Sequence, residues 1–279
     1  MSASHVSHAM DANKSIAPQA SIAITSHGSD LYFSVCAIMG VATLTIWLLS
    51  LPKPASHRLF HNLLAGATFI SCITYFAMGS NLGQTPVVTE FRRVGTREVF
   101  YARYIEWFVT APLLLSALLL TARVPAALIV GTIGASWVAV VCGLVGALVP
   151  TSYKLGFAAF GLSALLFVFW QVMWDGRRFA CAVGEPVRKT YTTAGSTLVF
   201  IWLLYPVAWG LAEGGNVIHP DSEAVFYGAL DVFAKVVFAT LLLQGQRRVA
   251  PELLDFGARD ARPLADDGRS MSESLDYRN

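Results

Sequence analysis

The chain predicts an all-α fold: seven membrane-spanning helices in one bundle, with the N-terminus outside and the C-terminus in the cytoplasm. Three observations carry this. Of 279 residues, 55% are hydrophobic and only 14% charged, with a mean hydropathy of +0.55, whereas soluble domains carry about 25% charged residues. Stretches 31–52, 59–89, 124–153, 155–174 and 190–212 contain no Asp, Glu, Lys or Arg, and each is long enough to cross a bilayer, which takes about 20 apolar residues as helix. Two more apolar segments, 98–122 and 223–246, carry buried-type charges. Backbone groups in lipid must pair internally, so helices are the expected spanning form. A net charge of +2 gives no basic field for nucleic acid, and the composition argues against a soluble enzyme.

Taken in order, the spans fall at about 31–51, 59–82, 98–121, 126–148, 153–174, 190–212 and 223–245. Residues 1–30, rich in Ser, Ala and His, lack the basic start and apolar run of a signal peptide and are expected as an external tail. Residues 31–248 form the membrane domain. Short connections leave no room for a soluble domain; in the longest, 83–97, Thr/Val runs predict a small hairpin. Residues 249–279, polar and charge-mixed, are expected to be a disordered cytoplasmic tail. With the N-terminus outside, 13 Lys and Arg residues fall on the cytoplasmic side and 5 outside, the asymmetry the positive-inside rule selects. The remaining two, Arg103 and Lys235, lie within spans. Cys36, Cys72, Cys142 and Cys181 show no CxxC spacing, so they read as small hydrophobes and no metal site is expected.

The informative residues are Arg103, Glu106, Asp231 and Lys235. A charge at bilayer depth costs about 2.5–3.5 kcal/mol even on lenient scales, so such residues pair and line a functional interior. Arg103 and Glu106 are three apart on helix three; Asp231 and Lys235 are four apart on helix seven, so each pair shares a face. A purely structural salt-bridge cluster is the competing reading. Eleven residues separate Lys235 from Arg247, too many for its amine to snorkel to the interface. Such an amine is a candidate for a Schiff base with a carbonyl cofactor, for which Glu106 and Asp231 are candidate anionic partners. Trp202, Tyr205 and Trp209 share a helix face at i, i+3, i+7; with Trp107 they either pack helices or wall a slot for a flat conjugated ligand.

Three segments together resemble a known family. ARYIEWFVTAPLLL resembles the third helix of microbial (type 1) rhodopsins, whose common form is RYxDWxxTTPLLL; WLLYPVAWGLAEGG resembles their sixth helix and LDVFAKVVFATLLL their seventh. CGLVGAL on the fourth adds to this, and the likeness spans about residues 31–248. WGLAEGGN looks most like the fungal branch, related to bacteriorhodopsin. The resemblance implies a photoactive membrane protein, not an enzyme, with all-trans-retinal as a protonated Schiff base on Lys235. It makes Glu106 the primary counterion and proton acceptor, and Asp231 the second counterion. Arg103 would lie on the extracellular side of them, bridging by hydrogen bonds or water, Thr110 would hydrogen-bond the acceptor, and Tyr75 and Tyr205 would flank the counterions. Trp107, Trp202 and Trp209 match the retinal sandwich, Glu213 and Glu223 the proton-release pair, and Leu114 a position where leucine accompanies green absorption. Implied partners are the lipid bilayer, most simply the plasma membrane, and protons; homo-oligomers are allowed, and any signalling partner is unknown.

Three positions depart from the family pattern. Glu106 stands where Asp is usual, its extra methylene moving the carboxylate. Ala111 replaces a common Thr. Ala117, eleven residues beyond Glu106 on nearly the same face, replaces the acidic internal donor of proton pumps. The expected function is therefore a light-driven outward proton pump with slow reprotonation. The alternative is a sensory photoreceptor with a slow photocycle; a light-gated channel is less favoured, because residues 59–89 carry no glutamate.

Overall fold

In the computed structural model the described residues are Ala9, Asn13, 19–90 and 95–254. Seven helices are long and apolar enough to span a membrane: α1 (Ser26–Ser50), α2 (Leu59–Gly79), α3 (Tyr101–Thr121), α4 (Ala126–Leu148), α5 (Lys154–Val183), α6 (Glu185–Gly214) and α7 (Pro220–Gln246). Each packs on its sequence neighbour, and α7 returns against α1, closing a ring. Among the seven, α3 and α7 are the most buried, α1 and α4 the least. Large apolar side chains such as Leu44, Val130, Phe160 and Phe200 point outward; in water they would be a liability, and against acyl chains they are the expected surface.

Several spans extend beyond the charge-free windows. α1 starts at Ser26 rather than 31, α5 continues to Val183 through Asp175, Arg177 and Arg178, and α6 starts at Glu185. Charges at the bilayer interface are solvated and do not end a helix, so the absence of charge marks the lipid-crossing core and not the helix ends. Pro251–Leu254 forms a short helical turn inside the segment expected to be disordered. The remainder of that tail, 255–279, most of residues 1–18, and Arg92 and Arg93 lie outside the described residues.

Helix interiors that look broken have local solutions. Pro112 cannot donate to the carbonyl of Phe108; the indole N–H of Trp137 on α4 donates to that carbonyl at 2.8 Å instead. Short π-helical turns interrupt α5 at Gln171–Gly176, α6 at Gly210–Gly214 and α7 at Phe233–Val237, the last around Lys235. Such turns occur frequently at functional sites.

The expected hairpin is present. β1 (Thr85–Val88) and β2 (Thr96–Val99) pair antiparallel, with Val87 opposite Arg97. A strap from the N-terminal segment lies alongside β2: the Ile22 amide donates to the Thr96 carbonyl and the Glu98 amide to the Ile22 carbonyl, each at 2.9 Å. The hairpin covers one end of the bundle, where α1, α3, α5 and α7 begin.

Candidate functional site

Where α3 and α7 face each other, the four charges read from the sequence are all buried. They do not form one cluster. Lys235 Nζ lies 2.6 Å from both Glu106 Oε1 and Asp231 Oδ1. Arg103 turns away from these acids: its guanidinium contacts Glu223 Oε1 at 2.6 Å and Glu213 Oε1 at 3.5 Å, and donates to the Tyr32 hydroxyl at 2.9 Å. Among the described residues no direct hydrogen bond joins Arg103 to the inner acids, and its direct bonds go to the outer pair. The reason is position: Arg103 sits one turn nearer the hairpin than Glu106 and stacks over Tyr227 at 4.1 Å, which fixes its direction.

The two inner carboxylates have unequal support. Asp231 accepts from Tyr75 at 2.5 Å, Tyr205 at 2.7 Å, the Trp107 indole at 3.2 Å and Lys235. Glu106 Oε1 accepts from Ser71 and meets Lys235, while its Oε2 is buried without a hydrogen-bond partner among the described residues. Ser71, from α2, therefore supplies the hydroxyl that the sequence reading assigned to Thr110; Thr110 lines the cavity described below. Its different role follows from the longer glutamate, whose carboxylate reaches toward α2.

Toward the hairpin lies a second polar cluster. Glu213 accepts from Tyr104 at 2.9 Å and Tyr227 at 3.0 Å. Glu223 is clamped between Arg103 and Arg97, each at 2.6 Å. Arg97, from β2, also donates to the Ile218 carbonyl at 2.6 Å, and Lys154 donates to the backbone carbonyl of Glu213 at 3.0 Å. Arg97, Arg103 and Lys235 are thus each paired with a buried acid among Glu106, Asp231, Glu213 and Glu223, as burial of charge favours.

Sequence reasoning missed Ser71, Tyr32, Tyr104, Arg97, Lys154 and Tyr227. One of these had a usable signal. Glu223, Tyr227, Asp231 and Lys235 recur every four residues, which puts all four on one face of α7. Ser71 and Arg97 had none, since their roles depend on how α2 and the hairpin are set against α3 and α7.

Beside Lys235 lies a cavity of about 390 Å³, walled by Trp107, Leu114, Trp202, Tyr205 and Trp209. That volume is in the range of small-molecule sites. Its wall is mostly apolar; Thr110 and Ser136 add hydroxyls, and Lys235 and Asp231 also line it. Gly143 and Gly146 of the CGLVGAL segment seat Trp209: the indole N–H donates to the Gly143 carbonyl at 3.1 Å, and a Cβ on Gly146 would meet the Trp209 ring at 3.0 Å. The site therefore offers an aromatic cavity lined by one amine and one carboxylate, with Glu106 against the same amine. Among the described residues no cluster of three His, Cys, Asp or Glu side chains could hold a metal ion.

Comparisons with known proteins agree with this geometry. A family described as "Bacteriorhodopsin-like protein" matches residues 28–249. The chain is 50% identical over 245 residues to Opsin-like protein carO of Fusarium fujikuroi, covering 86% of this chain and 80% of the relative. Among solved structures it resembles a light-driven proton pump from Leptosphaeria maculans (TM-score 0.77, 32% identity, 82% of this chain and all of the other). It is similarly close to the light-driven proton pump of Coccomyxa subellipsoidea (TM-score 0.77, 31% identity, 79% of this chain and 97% of the other). A matched family over nearly the whole bundle, an opsin-like fungal relative at half identity, and a buried lysine between two acids converge: the chain belongs to the bacteriorhodopsin-like family, as a type 1 rhodopsin of the fungal branch.

Proposed function

We propose that the chain holds all-trans-retinal on Lys235 and uses light to move protons outward across the plasma membrane, recovering slowly because position 117 carries no acid. Family members are membrane transporters and photoreceptors rather than enzymes. The observation that carries the reading is Lys235 Nζ, 2.6 Å from both Glu106 and Asp231 and lining an aromatic cavity. The residues fit the cofactor: a flat apolar chain suits the tryptophan walls, and a terminal carbonyl suits a buried amine. When bound, retinal supplies the absorption of visible light and a shape change on excitation.

The chain's own groups account for proton movement. A positive charge held at Nζ needs a fixed anion, and Asp231, with four donors, is the better fixed of the two acids. Glu106 retains acceptor capacity on the partnerless Oε2, so a proton leaving Nζ has its place there. Neutralising Glu106 removes one negative charge from the field acting on Arg103. Arg103 then favours its outer partners, and the Glu213–Glu223 pair gives up a proton toward the hairpin end. The Lys and Arg asymmetry of the connections supports that end as the outside.

One observation favours the sensory alternative: Ala117 is fully buried, and the side chain meant to store a returning proton is a methyl group. The two readings part in one experiment, in which pH is recorded in a lightly buffered suspension of cells expressing the protein with retinal. Sustained acidification under light, abolished by a protonophore and absent in Lys235→Ala, is the expected result. A wild-type protein that responds spectrally to light without acidifying the medium would replace the pump by the sensor.

A further inference from the structure

At the end of the bundle opposite the hairpin, one buried titratable side chain has no part in the scheme above. His61, in the first turn of α2, is 6% exposed, and its Nδ1 is buried without a hydrogen-bond partner among the described residues. It lines a second, separate cavity of about 50 Å³ together with Lys53, His57, Gln246 and Arg247. Polar groups must converge on so small a space for water to enter it. Here an imidazole, an ammonium, an amide and a guanidinium do so. Among the described residues lining it, none is a carboxylate.

From this cavity a polar chain runs inward. Gln246 Nε2 donates to Thr121 Oγ1 at 2.8 Å, and Thr121 Oγ1 donates to the carbonyl of Ala117 at 2.8 Å. Two oriented side chains thus join the cavity to the level at which the acid is missing. Neither exchanges a proton at neutral pH; an amide and a hydroxyl can only orient water. An imidazole can take a proton on one nitrogen and release one from the other.

We infer that His61 is the proton-uptake relay of this protein, receiving protons from the cytoplasmic side and passing them inward past Gln246 and Thr121. The inference rests on the retinal-pump reading and deepens it. In each turnover one ring nitrogen gains a proton from water in the cavity and the other releases one inward. The ring ends neutral with its tautomer exchanged, and it resets by proton exchange with the same water. Lys53 and His57 face it from the α1–α2 connection, Gln246 and Arg247 from the end of α7. Slow recovery and a working pump are then compatible, because the relay replaces a stored proton with a delivered one.

The test uses the full chain in nanodiscs with retinal, comparing wild type with His61→Asn and His61→Ala. Recovery of the absorbance change left by a flash should slow about tenfold or more in both variants, as expected when a proton-transfer group is lost. Added imidazole should accelerate His61→Ala in proportion to its concentration and by a several-fold larger factor than the wild type, bringing the two rates together. A merely structural histidine would leave both proteins accelerated by the same factor. A second readout needs neither retinal nor a variant: in ¹⁵N-histidine NMR of the retinal-free protein, the His61 ring N–H should exchange with water within milliseconds. A coloured variant recovering at the wild-type rate, a slow variant that imidazole does not rescue, or a His61 N–H protected from exchange would each overturn the relay. Failure of the underlying reading looks different: the wild type would form no visible band with retinal, or Lys235→Ala would keep one.

Discussion

Glu106 and Asp231 touch the same lysine atom, yet their surroundings give them different work. Asp231 is enclosed by two tyrosines and an indole, whereas Glu106 has one serine and a bare oxygen. A hydrogen-bonded carboxylate is a fixed charge; one with an unfilled lone pair is an acceptor. The assignment of roles therefore follows from donor count and not from which residue type is usual. It predicts that Glu106→Gln shifts the visible band of the retinal-loaded protein to longer wavelength at neutral pH, because one anion stabilising the ground-state cation is removed. The spectrum of the variant should also lose its response to acid. If mutant and wild type share one spectrum and one acid titration, Asp231 is the controlling counterion. The core of this site was legible in the sequence because DVFAK and RYIEW place charges at helical spacing inside segments where charge is costly. Ser71 was not legible: a serine in an apolar helix usually bonds its own backbone, as Ser71 also does to Ala67, and nothing local marks the second bond to Glu106.

Among the elements, the hairpin and the strap beside it are the part the spans did not foretell in detail. Thr/Val runs suggested the strands, but the register that sends Arg97 to Glu223 is set by pairing Val87 with Arg97 and by Ile22 on the outer side. The same register buries Glu98, whose Oε2 accepts the Ile24 amide at 2.7 Å. Burial pushes the Glu98 carboxyl up to about 7, the Ile24 amide pulls it back, and Glu223 and Asp221 push it up further. An acid whose value is raised on folding binds a proton that the unfolded chain has released between 4.5 and 7. Stability from this group is therefore full below the lower value and is lost as pH rises through the upper one, by up to about 3 kcal/mol. Thermal unfolding of the wild type should shift to lower temperature between about pH 5 and pH 7.5. Glu98→Gln, neutral throughout and still able to accept the Ile24 amide, should flatten that trend. Parallel curves for the two proteins would place the pH dependence elsewhere.

At the scale of the whole molecule, the polar groups are distributed unevenly along the bundle. On the hairpin side of Lys235 stand two buried polar clusters, one around Glu106 and Asp231 and one around Arg103, Glu213 and Glu223, whereas on the opposite side Leu114, Leu115, Ala117 and Leu118 are packed tight. On the proposed pump reading, protons leave through the first half and return through the second, where few buried polar groups stand to carry them, so return is the slower step. With no acid at position 117, delivery depends on the proton concentration outside the bundle. The recovery rate after a flash should therefore fall about tenfold for each unit of rising pH while bulk protons limit it. A small weak acid such as azide should accelerate it. Ala117→Asp places a carboxyl beside the Thr121 hydroxyl, which already points at this turn. Where that acid stays protonated in its apolar surroundings it stores a proton within the bundle, and recovery should become faster and less dependent on pH. Flash photolysis of both proteins across about three pH units decides the matter. Fast, pH-independent recovery in the wild type would mean that a stored proton already exists within the packed half, and that the methyl group at 117 does not limit the cycle.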